Sequence, residues 1–354
     1  MNIWIDICHT PQYNFYKNLI EAAATQGHTV YITVLDRGRT PKIIQTEMSG
    51  VRNVNVSVIG KHRMNKLSAV FEANVVRIIK LLRWVRDKHI DLIFSNCMAA
   101  MIIGRILGKP RYSFDDDPDT IDFYPKKWCS LESDYCLYDD PETASKGGSV
   151  RVLKCLKEWA YLCPGVFKAD EKALETYGVT AKEYIFVREV SVGTVNYTGQ
   201  ESGAVLGIAD FIPKDKKVLL SLEEKERRNL YPADWILLQE PVKDIHSLIY
   251  YSAALVSSGD SMAREAAMLG VPAYYLGVRH YMPANKAAHT VAGLQNTESM
   301  SFNEWLMQLP GNREKAEEEQ QKVRENIDDK FIDINRYMLQ IIEREQQRGK
   351  TITL

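Results

Sequence analysis

Short apolar runs alternate with segments of helical periodicity along the whole chain, and this alternation constrains the fold more than any other feature. Apolar runs separated by helices are typical of parallel strands buried on both faces, because each parallel connection needs a crossover. The chain has 354 residues, more than one hydrophobic core usually holds, so two domains are expected. The sequence therefore predicts an α/β protein of two doubly wound Rossmann-like domains with a central cleft.

The same pattern places the individual elements. Strands are predicted at 3–7, 29–35, 54–59, 92–94, 112–114, 135–138, 150–153, 184–187, 218–221, 235–238, 254–256 and 273–276. Helices are predicted at 15–26, 40–48, 67–88, 97–107, 245–251, 262–269, 313–326 and 332–348. A boundary near Pro164 gives domains at 1–165 and 166–330, and a C-terminal helix within 331–354 is expected to pack back across them.

Composition excludes several classes of protein. The 45 Lys and Arg residues balance 46 Asp and Glu, for a formal net charge of −1, so a nucleic-acid-binding role is not expected. No run approaches the roughly 18 to 20 apolar residues that span a bilayer, and the amino terminus does not resemble a signal peptide. We expect a cytoplasmic protein without a transmembrane segment, which leaves room for peripheral contact with a membrane.

The six cysteines are scattered without a CxxC pair, and no Cys and His grouping has the spacing of a zinc site. No metal site is predicted, and the cysteines are interpreted as reduced thiols. Cys8 lies in a loop at the predicted cleft, where a nucleophilic role would need an activating neighbour.

The most informative segment is 244–272, which predicts a helix, a buried strand, a turn of small residues at 257–261, a second helix and a Gly-x-Pro exit. Backbone N–H groups at the start of that second helix would favour a phosphate, through hydrogen bonds and the helix dipole. A packing role is the alternative, with Ser258 or Asp260 capping the helix.

The Ser-Gly turn followed by Glu265 resembles the donor site of the glycosyltransferase-B superfamily, in particular the N-acetylglucosaminyltransferase of peptidoglycan synthesis. The resemblance implies that Ser258 and Gly259 approach a diphosphate and that Glu265 holds the ribose hydroxyls. It also implies a uracil near residues 242–245, which include Ile245. The nucleotide-sugar site predicted in this way comprises Ser258, Gly259, Asp260, Ser261, Glu265, Arg188 and Ile245.

The chain as a whole resembles a microbial domain-of-unknown-function family, number 354, related to sugar-nucleotide 2-epimerases and to such transferases. The matching stretches are 3–6 with Pro11 and Phe15, 26–30, 114–116, 156–158 with 161–162, and 257–272. Gln12 and Asn14 depart from the pattern, because the resemblance leads us to expect histidines there.

Three residues of the first half are candidates for acid–base chemistry. Asp6 ends a strand and is expected to face the cleft as a base or a sugar ligand, or else to cap the next loop. His9 follows it and is a second candidate base. Asp116 belongs to the acidic run 115–119, which would activate an acceptor, hold a divalent cation or form a solvated turn. In the second half, Arg188 would neutralise a leaving phosphate or form a surface ion pair.

These features predict a transferase that needs no metal or other cofactor and moves a sugar from a nucleotide donor, a UDP-sugar by resemblance, to an unknown glycan or lipid-linked acceptor. Two alternatives stay open: a sugar-nucleotide 2-epimerase, which needs acids and bases around the sugar ring, and a non-catalytic protein that binds nucleotide sugars or glycans.

Overall fold

The computed structural model describes residues 1–63, 68, 71–116, 134–136, 150–192, 199–239, 242 and 244–352. The chain divides into two compact units. The first unit comprises Met1–Tyr161 together with Ile332–Leu354, and the second comprises Leu162–Phe331. The C-terminal segment is thus assigned to the first unit.

The first unit contains a seven-stranded parallel sheet in the order β3-β2-β1-β4-β5-β6-β7. Its strands are β1 (Asn2–Ile7), β2 (Thr29–Asp36), β3 (Val54–Lys61), β4 (Leu92–Ser95), β5 (Arg111–Asp115), β6 (Asp134–Cys136) and β7 (Val150–Val152). Its helices are α1 (Thr10–Thr25), α2 (Thr40–Glu47), α3 (Arg77–Val85), α4 (Met98–Ile106) and, from the chain terminus, α11 (Ile334–Ile352). A short helix, α5 (Trp159–Leu162), ends at the boundary.

The second unit repeats this plan with six parallel strands in the order β10-β9-β8-β11-β12-β13. Its strands are β8 (Tyr184–Glu189), β9 (Lys217–Leu222), β10 (Ile236–Leu237), β11 (Ala254–Ser257), β12 (Ala273–Tyr275) and β13 (Gln295–Asn296). Its helices are α6 (Ile245–Tyr250), α7 (Asp260–Met268), α8 (Pro283–Ala292), α9 (Phe302–Met307) and α10 (Arg313–Lys330). Shorter 3₁₀ segments occupy Glu171–Tyr177, Leu206–Phe211 and Lys225–Leu230.

Helix α1 differs from its prediction because it begins at Thr10 rather than at residue 15. Pro11 occupies its first turn, where a missing N–H costs nothing and the fixed φ of proline suits a helix. The helix predicted at 67–88 is also interrupted, since a π-helical segment, Glu72–Val76, precedes α3. Helices α8 and α9 and strand β13 are additions to the predicted set.

The strand order reverses direction at one place in each sheet, between β1 and β4 in the first unit and between β8 and β11 in the second. In open α/β sheets, ligands bind outside the carboxyl ends of the strands at this switch point. The residues that follow these four strands are therefore candidates for a ligand-binding site. No helix in the described ranges combines the length and apolar character needed to cross a membrane.

Candidate functional site

The predicted phosphate-binding turn lies at the switch point of the second unit, between the end of β11 and the start of α7. Gly259 is the N-cap of α7 and has extended backbone angles. The Ser257 hydroxyl accepts a hydrogen bond from the Gly259 N–H at 2.9 Å and donates one to the Gly259 carbonyl at 2.7 Å. Within the described part of the chain, the N–H groups of Asp260 and Met262 have no hydrogen-bond partner. The start of α7 thus keeps two donors for an anion.

Ser258 is fully buried and forms hydrogen bonds that connect this turn to the end of β8. Its N–H donates to the Arg188 carbonyl at 3.0 Å, and its hydroxyl accepts from the Val190 N–H at 2.9 Å. Gln200 donates to the Ser258 carbonyl at 2.9 Å. These contacts hold the turn in place, and the contact of Ser258 with a diphosphate stays a prediction.

Asp260 organises two arginines beside the start of α7. One carboxylate oxygen, Oδ1, accepts from the Ser261 N–H at 2.9 Å. The other, Oδ2, lies 3.5 Å from Arg264 Nη1 and 3.3 Å from Arg279 Nη1. Asn285 joins the group by accepting from Arg264 and donating to the Arg279 carbonyl. One carboxylate thus faces two guanidinium groups next to the helix N-terminus.

Glu265 lies in the second turn of α7, and its carboxylate Oε1 is 3.3 Å from Nε2 of His246. His246 belongs to α6, whose N-cap Asp244 accepts from the Ser247 N–H at 3.0 Å. Burial by itself would lower the pKa of His246, but the charge of Glu265, helped by that of Asp244, raises the pKa above its usual value. The two helices therefore place a histidine beside Glu265, where the sequence indicated only a carboxylate. Ile245, beside it, is half-buried.

Arg188, at the end of β8, is held by acidic and hydroxyl partners of β9 and the loop that follows it. Its guanidinium donates to the Ser221 hydroxyl at 2.8 Å and to the Glu223 carboxylate. Glu223 also accepts from the Ser191 N–H at 2.8 Å. The positive charge of Arg188 is thus paired within the protein, as in the ion-pair alternative.

Asp6 was expected to face the cleft as a base or a sugar ligand, and its burial corrects this expectation. The carboxylate is fully buried and accepts hydrogen bonds from Arg77 at 2.9 Å and 2.5 Å and from the Thr33 hydroxyl at 2.6 Å. Strand β1 lies between β2 and β4, and residues 3–7 are all buried, so side chains on both faces of this strand point into protein. A buried carboxylate needs such partners, and their hydrogen bonds occupy the oxygens that a base would use.

His9 and Asp116 lie at the carboxyl edge of the first sheet, after β1 and β5. His9 is an exposed residue. Desolvation by the protein around the imidazole, together with the charges of Lys157 and Arg37, lowers the pKa of His9 to about 4. Asp116 opposes this shift. The carboxylate of Asp116 also lies 2.6 Å from Nζ of Lys157. These groups form a polar cluster with a neutral imidazole at neutral pH. The remainder of the acidic run, 117–119, lies outside the described residues.

Two residues of the second unit that contact α7 were not predicted from the sequence. Arg279 follows β12 by four residues, and His246 lies in the first turn of α6. A cation shortly after a strand end is a usable signal, because carboxyl ends of parallel strands share one edge. The approach of His246 to Glu265 depends on how two helices pack and leaves no local pattern.

Comparison with solved structures identifies the fold. The UDP-GlcNAc 2-epimerase from Neisseria meningitidis, bound to UDP-GlcNAc, is 14% identical over 98% of this chain and 100% of its own, with a TM-score of 0.62. The glycotransferase of kitacinnamycin is 11% identical over 97% and 98%, with a TM-score of 0.62. The glycosyltransferase VinC, in complex with dTDP, is 12% identical over 99% and 100%, with a TM-score of 0.62.

The chain therefore has the glycosyltransferase-B fold of two Rossmann-like domains, as the sequence analysis predicted. No protein-family model matches the chain, and no curated protein matches it either. The resemblance to the domain-of-unknown-function family thus stays a prediction.

Proposed function

We propose that this protein is a nucleotide-sugar-dependent enzyme of the glycosyltransferase-B class, which moves a sugar from a nucleoside diphosphate to a glycan or lipid-linked acceptor. The observation that carries the proposal is the α7 turn. Two N–H groups, of Asp260 and Met262, have no hydrogen-bond partner among the described residues and lie at the start of a helix that follows a switch-point strand. An anion placed there gains hydrogen bonds and the favourable end of the helix dipole.

The arginines around Asp260 support binding of a diphosphate. Arg264 and Arg279 lie beside the start of α7, where a guanidinium group can donate to a phosphate oxygen of the leaving group. Arg188 supports this role less well, because Glu223 neutralises it. We therefore assign leaving-group stabilisation to the α7 turn and Arg279.

Glu265 is assigned to the ribose. A carboxylate accepts hydrogen bonds from two neighbouring hydroxyls, and the contact with His246 restrains this side chain before a nucleotide arrives. The uracil of a UDP-sugar would lie near Ile245, at the start of α6. The UDP-GlcNAc and dTDP of the similar structures both contain a nucleoside diphosphate, as a UDP-sugar does.

For the acceptor, we assign the base to His9 with Asp116 nearby, and not to Asp6. The imidazole of His9 is neutral at pH 7 and can accept a proton, although a pKa of about 4 makes it a weak base in the absence of ligand. An anionic ligand beside it would raise that pKa.

The donor site is tested by calorimetric titration of the full-length protein with UDP and UDP-GlcNAc. We expect Glu265→Gln to weaken binding about tenfold, because a hydrogen bond to a charged group contributes about 1.5–3 kcal/mol. Glu318→Gln is the matched control, since Glu318 is an exposed carboxylate of the second unit. Equal affinities for the two variants would refute the assignment of Glu265.

A non-catalytic nucleotide-sugar-binding protein is the second candidate, because the ion pairs of Asp6 and Arg188 engage two of the predicted functional groups. Incubation with nucleotide sugars in heavy water separates the possibilities. A transferase with its acceptor, or slowly with water, releases the nucleoside diphosphate, and an epimerase incorporates deuterium at C2. A binding protein shows thermal stabilisation without turnover. Absence of stabilisation by any nucleotide would contradict the whole proposal.

A further inference from the structure

Cys8 and Cys97 lie side by side at the switch point of the first unit. Strands β1 and β4 pair in parallel with Asp6 opposite Ser95, and each cysteine lies two residues beyond that pair. Neighbouring strands are about 4.8 Å apart, which is within the Cα separation of about 4.4–6.8 Å that a disulfide requires. The sulfur atoms, together with a carboxylate oxygen of Asp6, lie within 4.8 Å of one another.

Gln12 fixes the arrangement of the two thiols. Its Oε1 accepts from the Cys8 N–H at 2.8 Å and from the Cys97 thiol at 3.6 Å. Cys97 is also the N-cap of α4, and its N–H donates to the Ser95 hydroxyl at 2.9 Å. Both cysteines thus stand next to a helix start, with the guanidinium of Arg77 close enough to interact with each. Positive potential of this kind favours a thiolate during reaction.

A metal ion fits this group poorly. Asp6 would be the third ligand, but its oxygens already accept two hydrogen bonds from Arg77 and one from Thr33. A cation bound there would also lie beside a buried guanidinium. A disulfide needs none of these groups, since its product is neutral and leaves the Asp6–Arg77 pair intact.

We propose that Cys8 and Cys97 are a site of oxidative modification, where hydrogen peroxide converts the two thiols into a reversible disulfide. The Cys8 thiolate attacks the peroxide oxygen, giving a sulfenic acid and hydroxide, which takes up the proton that Cys8 released and forms water. The Cys97 thiol then attacks the Cys8 sulfur; an S–S bond forms, and the sulfenic oxygen leaves with the thiol proton as a second water. Two electrons pass from sulfur to peroxide, and a dithiol reductant reverses the change.

The difference in exposure between the two thiols determines which of them reacts with the peroxide first. Cys8 is half-buried and open to a small oxidant, whereas Cys97 is 6% exposed. Burial, with a hydrogen bond to Cys8, raises the pKa of the Cys97 thiol well above its usual value. Cys97 therefore stays protonated until a sulfenic acid forms beside it, and Cys8 reacts first.

The proposed disulfide is tested by treating the full-length protein with hydrogen peroxide, alkylating the remaining thiols and mapping the tryptic peptides. Cleavage after Lys17, Lys88 and Arg105 gives peptides 1–17 and 89–105, which contain Cys8 and Cys97 as their only cysteines. We expect these two peptides to become linked, with a loss of about 2 Da from their summed masses, and to separate again with dithiothreitol.

Two cysteine variants test whether Cys97 is the thiol that reacts with oxidised Cys8. In Cys97→Ser, Cys8 should accumulate as a sulfenic acid that a dimedone probe captures, at a level several-fold above wild type. Cys163→Ser, which removes another partly exposed thiol, should leave the 1–17 to 89–105 link unchanged. The proposal is overturned if Cys8 passes to sulfinic acid in the wild type without a link, or if Cys8 pairs with another cysteine. Zinc binding that requires both thiols and blocks their oxidation would instead favour the metal site.

Discussion

Asp6 and Arg77 form a buried ion pair in which both carboxylate oxygens accept from the guanidinium, at Nη1–Oδ2 2.9 Å and Nη2–Oδ1 2.5 Å. The pair joins β1 to α3, across 71 residues of sequence. Thr33 extends it, since its hydroxyl donates to Asp6 and accepts from the Trp4 indole N–H at 2.7 Å. Asp6 therefore belongs to the internal framework of the first unit.

Removing Arg77 should destabilise the first unit strongly. Arg77→Met leaves Asp6 buried without its counter-ion, and breaking such a pair costs about 3–5 kcal/mol. Denaturant titration measures the free energy of unfolding, with Arg83→Met as the control because Arg83 is exposed on the same helix. Replacing both partners, as Asp6→Leu with Arg77→Met, should recover part of the loss. Equal stabilities of the two arginine variants would contradict the importance of the pair.

The fold was predictable because its signal is local. Most strands are apolar runs, most helices have their own periodicity, and a parallel sheet follows from their alternation. Short helices, and helices that begin at an unusual capping residue, leave a weaker pattern in the sequence than the long elements do. Helix α9 has six residues, although Ser301 and Glu304 form a capping box at its start. Pro283 in the first turn of α8 is a further start signal that the sequence analysis did not use.

The site was only partly predictable, because its contacts join distant segments. The turn before α7 is visible as small residues after an apolar run, and the structure places it at the switch point. The partners of Glu265 and Asp260 arrive from α6 and from the loop after β12, and no local pattern encodes this packing. The burial of Asp6 follows from its strand being covered on both faces, but the identity of its partner does not.

The Glu265–His246 contact should make stability depend on pH. The pKa of His246 is raised in the folded protein, so the pair contributes fully below the unfolded value of about 6.5 and is lost as pH rises through the folded pKa. The free energy of unfolding should therefore fall over this range. Glu265→Gln should lower the pKa of His246 in an NMR titration and flatten the pH profile, while Glu318→Gln should change neither. A wild-type pKa below 6.5 would contradict the ion pair.

His9 should behave in the opposite way. Its pKa of about 4 keeps the ring neutral between pH 5.5 and 8, so an NMR titration should show no change over about that interval. The unfolded chain takes up the proton first, so this group lowers stability as pH falls from about 6.5 towards 4. Lys157→Met should raise the pKa of His9, because it removes a cation and leaves Asp116 without that partner. Lys154→Met, at an exposed neighbouring position, is the control. A wild-type His9 that titrates near 6.5 would contradict the desolvated setting.

Gly270 should not tolerate a side chain, for two physical reasons. Its φ is +72°, and an added Cβ would lie 2.4 Å from the backbone oxygen of Gln320 in α10. Gln320 in turn donates to the Leu269 carbonyl at 2.8 Å, so α10 packs directly on the end of α7. Gly293 is the matched control, because its φ is +71° and nothing lies within 4 Å of its added Cβ.

Gly293→Ala should cost only the strain of a left-handed backbone, about 1–2 kcal/mol, as measured by denaturant unfolding. Gly270→Ala should cost about 1–3 kcal/mol more, since the backbone of α10 has to move. The movement begins at the last turn of α7, whereas the anion-binding N–H groups are at its first turn. UDP affinity measured below the unfolding transition should therefore change less than stability does. Equal losses in the two alanine variants would show that α10 yields to the added methyl group.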